Sequence, residues 1–155
     1  MKVRREILSA TEKIPGVYHA NSWGEPLEKN LIDLLIEKAN FNSNRKARFC
    51  LHPDSDELLQ VTYLAFSRPY SDRIHKHPHR SEIVIPIHGL ARHSIFDHNG
   101  RQLSNQILNG DNPIAITTQI NLWHGLEVLS ENFVMIEIGI GAFVSTSTVY
   151  FDEVQ

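Results

Sequence analysis

From residue 46 onward, turn signals recur about every ten residues, and that spacing most limits what this chain can fold into. Between the turns lie short runs rich in β-branched and aromatic residues: ARFCLH, LLQVTYLAFS, EIVIPIH, ARHSIFD, RQLSNQIL, IAITTQI, HGLEVLS, NFVMIEIGI and FVSTSTVYF. Punctuation such as HNG and NGDNP between them favours hairpins. Many short strands with little helix imply an antiparallel sandwich or barrel, because unpaired edges invite aggregation unless two sheets close on each other. The one helical pattern is NLIDLLIEKA at residues 30–39, where Leu31, Leu34, Leu35 and Lys38 share a face and Asn30 is placed to cap the start. Residues 16–28, with Gly16, Gly24 and Pro26 around Trp23, read as an irregular surface arm. The expected organisation is an arm and helix over residues 1–45 packed on a β-barrel or jelly roll over residues 46–155.

Composition narrows the partners. A net charge of −3 provides no basic field for a phosphate backbone, which argues against nucleic acid. The single cysteine, Cys50, excludes an internal disulfide and fits a reducing compartment. The N-terminus MKVRREILSATEKI is charged throughout and has no apolar core of a signal peptide. No run reaches the roughly 18 apolar residues of a membrane span. The expected location is the cytoplasm.

The stretch IHKHPHRSEIVIPIHG, residues 74–89, carries the chemistry. Extended backbone sends His75 and His77 to one face. Pro78 interrupts the ladder, and a bend before Ser81 would return Glu82 to the same interior. Two imidazoles and a carboxylate facing one apolar cavity pack poorly unless a divalent cation binds them. The competing reading is a solvated, histidine-rich turn. A further ligand has to come from elsewhere, and His124, set in INLWHGLEV between apolar runs, is the best placed. His98 belongs to the exposed HNG turn, and His93 fits either face.

These residues resemble the first cupin motif: HxH, four residues, E, six residues, G. In order and spacing, RKARFCLHPDSDELLQ, YSDRIHKHPHRSEIVIPIHG, SIFDHNGRQ, LWHGLEVLS and IEIGIGAF resemble the WbuC-type cupin metalloproteins, from about Ala39 to Phe151. Gln119 and Asn121 stand where the family-wide second motif has a proline and a glycine before its histidine. The resemblance implies a mostly β double-stranded β-helix with a short N-terminal helical segment. It also implies a metal held by His75, His77, Glu82 and His124, with His79 the rival for one place. The family is associated with O-antigen and capsular polysaccharide clusters, and by fold analogy a homodimer is expected.

Further candidates surround that centre. Glu137, flanked by aliphatics in FVMIEIGI, is expected in the cavity beside the metal or as a proton-transfer group. Its alternatives are an ion pair with Arg68 or Arg92, or an outward position. Arg45, Arg48 and His52 form a basic strip suited to a planar anion if it lines the mouth, as the resemblance implies, and otherwise a solvated edge. Gln60 and Tyr63 have opposite parity; Gln60 is the one expected inside, supporting a metal ligand. Tyr70 is placed to contact a ligand or to pack at the rim. Mixed nitrogen and oxygen ligation suits Fe, Mn, Ni, Zn or Cu. The expected function is metal-dependent binding of, or action on, a small oxygen-rich ligand, with isomerase- or epimerase-like chemistry in which Glu137 or Glu82 moves a proton. The alternatives are a non-catalytic binding module, O2-dependent chemistry on iron, and a purely structural metal.

Overall fold

The computed structural model describes Ile7, residues 10–144 and residues 146–154. The start of the N-terminal arm, residues 1–6 and 8–9, and Ser145 within the FVSTSTVYF run lie outside the described residues. Among the described residues, one sheet runs in the order β1 (Ala10–Ile14), β2 (Val17–Ala20), β3 (Lys46–Cys50), β4 (Leu59–Ser67), β11 (Asn132–Ile140), β6 (Glu82–His88), β9 (Ile116–Thr118). The second runs β12 (Val149–Tyr150), β5 (His75–Lys76), β10 (Trp123–Val128), β7 (Leu90–Phe96), β8 (Gln102–Asn109). Pairing is antiparallel except for β2 on β3. The protein is therefore mostly β, two sheets facing each other, with a single α-helix, α1 (Leu31–Phe41), among the described residues. Among the described residues no helix is long and apolar enough to cross a membrane.

Period-two alternation in the first sheet sorts its side chains into two cores. Ala47 and Phe49 of β3, Ala65 of β4 and Val134 of β11 face α1, where they meet Leu31, Leu34, Leu35 and Ala39. The neighbouring positions Leu64, Phe66, Phe133 and Met135 turn the other way, toward Val84, Ala91, Leu108, Leu126 and Val128. Phe49, Phe66 and Phe133 are fully buried, worth about 1.5–3 kcal/mol each in apolar transfer. The inner face changes character along the strands. Beyond its apolar half come Cys50, Thr62, Gln60 and Glu137, all lining a cavity.

Three local expectations needed correction. Residues 17–20 are not an irregular surface arm. They form a buried strand in which Tyr18 and Ala20 join the helix-side core, because β2 finds a parallel partner in β3. The last run forms only the two-residue β12 before a 3-10 turn at Phe151–Glu153. Asn30 sits at the helix start but makes no side-chain capping bond.

Candidate metal centre

The ligand set is assembled by strand register. His75 on β5 lies directly opposite His124 on β10, and the rings are 4.3 Å apart, centroid to centroid. His77, two residues on, brings its ring within 5.2 Å of His75 and 5.4 Å of His124. One nitrogen from each of the three lies within 4.8 Å of the others. Glu82 opens β6 on the facing sheet, with Oε2 3.4 Å from His77 Nε2.

All three imidazoles are held the same way. Nδ1–H of His75 donates to Arg73 O at 2.8 Å, that of His77 to Ser147 O at 2.9 Å, and that of His124 to Leu122 O at 2.8 Å. Each bond places a proton on Nδ1, so that in the neutral ring the lone pair is on Nε2. Converging bare nitrogens beside a buried carboxylate are a donor set suited to a divalent transition metal. The residues present therefore fit the metal.

Backbone geometry explains the motif's other positions. Gly89 separates β6 from β7 at φ +72°, and a Cβ there would strike Asn132 O. Asn121, where the family-wide pattern has glycine, takes φ +63°, a left-handed conformation that asparagine tolerates better than most residues. The turn survives, and Asn121 N–H donates to His77 O at 3.0 Å.

His79 is exposed and outside the cluster, so it is no rival ligand. One residue further on, Pro78 and the bend have already turned the chain. Arg45 is also exposed, on the opposite parity from Arg48, and its guanidinium donates to Asn40 O. Lys46 takes its place inside, so Lys46, Arg48, Cys50 and His52 form the strip facing the cavity. Gln60 is buried and faces inward, but its amide donates to Ser55 O and Glu57 O, bracing a loop and not a metal ligand. Tyr63 packs toward the helix side. Tyr70 reaches the cavity, donates to Asp72 Oδ1 at 2.6 Å and stands 3.4 Å from Lys46 Nζ. Glu137 lines the cavity; Arg68 is engaged with Leu129 O, and Arg92 with Glu127.

Two residues were not picked out from sequence. Arg80 is buried, with Nε 3.2 Å from Glu82 Oε1, though off the hydrogen-bond axis, and Nη2 3.8 Å from Glu137 Oε1. It fits because β11 carries glycine at position 139; a Cβ there would overlap the guanidinium. His93 lies beneath the cluster, its ring stacked 5.7 Å from His124 and Nε2 3.3 Å from Thr118 Oγ1. Its alternation with Ser94 gave no direction, since both residues are buried.

The cavity has a volume of about 550 Å3, enough for a small molecule. Its electrostatics divide. Burial lowers the His75 pKa, and burial with the neighbouring His75 charge takes His124 down to about 4. Burial acts against the His77 imidazolium too, but the Glu82 carboxylate overrides it and raises that pKa. Burial would raise Glu82, yet His77 and Arg80 hold it below the usual range. Glu137 is raised, by burial first and then by Glu82. Burial brings Lys46 down to about 8.

A pH dependence follows. Between its ordinary value of 6.5 and about 4, His124 binds a proton in the unfolded chain and refuses it in the folded one. Its contribution is complete above that window and is lost as pH falls through it. Burial shifts His52, His75 and His93 in the same direction, and His77 opposes them. Chelator-treated protein is expected to show a lower urea midpoint at about pH 4.5 than at about pH 7, with His124→Gln flattening the difference.

Two facing, largely antiparallel sheets in this strand order make the double-stranded β-helix of the cupin fold. Solved structures bear this out. The capsular polysaccharide assembling protein CapF from Staphylococcus aureus matches with a TM-score of 0.61 at 16% identity, over 78% of this chain and 40% of that one. Bacillus subtilis oxalate decarboxylase, studied for its Mn(II) centres, matches with a TM-score of 0.51 at 18% identity, over 61% and 24%. A double-stranded β-helix protein from Klebsiella pneumoniae matches at 0.54 and 14% identity, over 70% and 81%. At these identities the likeness is one of fold, and the chain spans only about two-fifths of CapF. No curated protein matches by sequence. Residues 27–108, just over half of the chain, match the family described as a domain of unknown function, DUF6016, and the chain belongs to that family.

Proposed function

We propose that this protein is a metal-dependent cupin of WbuC type that binds and transforms a small, anionic, carbohydrate-derived ligand. The observation that carries the reading is one cavity holding both the His75–His77–Glu82 end and the cations Lys46 and Arg48. Bound at His75, His77, Glu82 and His124, a divalent cation supplies Lewis acidity toward carbonyl or vicinal hydroxyl oxygens. The remaining roles belong to the chain. Arg48 offers a planar fork to a carboxylate or phosphate, and Lys46 a point charge. Arg80 holds Glu82 ionised, as a metal ligand requires. Glu137, with its raised pKa, is suited to hold a proton and exchange it with a carbon beside a carbonyl, the step of an isomerase or epimerase. The fold likeness to CapF supports a place in polysaccharide metabolism. The homodimer and the cytoplasmic location belong to the same proposal, and sedimentation equilibrium tests the first.

The test uses protein loaded in turn with Mn, Fe, Ni, Zn or Cu and offered aldoses, sugar acids and nucleotide sugars in D2O. NMR is expected to show deuterium uptake beside the carbonyl. Glu137→Gln should abolish uptake while binding persists, a drop of roughly 100-fold or more for loss of a general acid–base. Saturable binding without uptake would identify a non-catalytic module. Oxygen consumption confined to the iron form would redirect the reading to oxidative chemistry.

A further inference from the structure

Beside the first strand of the strip lies a second convergence of ligand atoms. The parallel pairing of β2 with β3 sets His19 opposite Cys50. His52 follows Cys50 by two residues and returns to the same side. All three are buried, with relative exposures of 7%, 6% and 2% for His19, Cys50 and His52. One donor atom from each lies within 4.8 Å of the others. Small side-chain rotations close that to the roughly 3.3–3.8 Å between ligands of a tetrahedral zinc with bonds of about 2.0–2.3 Å.

We propose that His19, Cys50 and His52 form a second metal site, for a thiolate-preferring divalent ion of the zinc class, distinct from the histidine–glutamate centre.

The surrounding bonds favour it. His19 Nδ1–H donates to His52 O at 3.0 Å, which leaves Nε2 bare, the device used by His75, His77 and His124. His52 Nδ1 sits between the Val61 amide, at 3.1 Å, and the Val61 carbonyl, at 3.2 Å. Coordination through Nε2 selects the tautomer that donates to the carbonyl. Thr62 Oγ1–H points at Cys50 Sγ across 3.8 Å, a donor that stabilises a thiolate. The two rings meet edge to face at 5.3 Å. All three are buried, yet none of them belongs to either of the two apolar clusters. A cation makes the arrangement favourable: metal binding expels the thiol proton and pairs the resulting charge. His19, Cys50 and His52 line the same cavity as His75 and His77, so a fourth coordination position would open toward that cavity.

The chain has one cysteine, which makes the test specific. Full-length protein, reduced and stripped by chelator, is titrated with Co(II) without oxygen. Expected are two equivalents per chain and a near-ultraviolet thiolate-to-cobalt charge-transfer band. Cys50→Ser should lose the band and one equivalent. His77→Ala, which damages only the other centre, should lose one equivalent and keep the band. His19→Gln should weaken the band, which covers the case of a Cys50→Ser protein that fails to fold. Absence of the band in wild-type protein overturns the proposal, and so does a band unchanged in His19→Gln. Failure of the first metal centre would appear separately, as wild-type protein that takes one equivalent and retains the band.

Discussion

Replacing His77 with alanine is expected to lower affinity for divalent metal by more than about 100-fold, beyond the 10- to 100-fold typical of losing only a supporting bond. His77 lies between His75, His124 and Glu82, and its ring is held by Ser147 O. Removing it takes one of three imidazoles and leaves Glu82 without its nearest ring nitrogen. His98→Ala is the control. That residue is exposed in the Asp97–Gly100 turn and touches none of the ligands, so metal content should not change. Elemental analysis and calorimetric titration of untagged protein check both. Equal metal in the two variants would remove the centre described here.

The second large effect is expected at Arg80. Its guanidinium lies between Glu82 and Glu137, and no other arginine or lysine makes an ion pair with either carboxylate among the described residues. Arg80→Met leaves the buried Glu82 and the half-buried Glu137 without their shared cation, and breaking a buried ion pair costs about 3–5 kcal/mol. The expected loss in chelator-treated protein is about 3 kcal/mol, the low end, because Glu137 is already poised to take up a proton. Added divalent metal should restore part of the loss by supplying positive charge at Glu82. Gly139→Ala should act in the same direction, since the added methyl occupies the space of the guanidinium. Urea denaturation with and without metal measures all three. A variant as stable as wild type in both conditions would show that Arg80 does not compensate these carboxylates.

The two effects differ in how visible their causes were. His75, His77 and Glu82 were legible because they lie close together in sequence and alternate about a proline. Strand parity and one bend suffice to bring them together. Arg80 sits in the same segment but gave no signal. Its partner Glu137 and the glycine that makes room for it belong to β11, more than fifty residues away. The helix face Leu31, Leu34, Leu35 and Lys38 was readable from 3.6-residue periodicity, and all four residues are buried. The strand Val17–Ala20 was not, because its neighbouring glycines and Pro26 suggested a loop and its partner is a strand nearly thirty residues on.

By itself the sequence determined the strand-rich architecture, the buried face of the helix and the convergence of His75, His77 and Glu82. Those features depend on spacings of two to seven residues along one backbone. Only the tertiary structure decided that His79 and Arg45 face solvent, that Lys46 and Arg80 face the cavity, and that His19 meets Cys50 and His52. These outcomes depend on which strands become neighbours and in what register, a choice made by burial across the whole sheet and not by any local pattern.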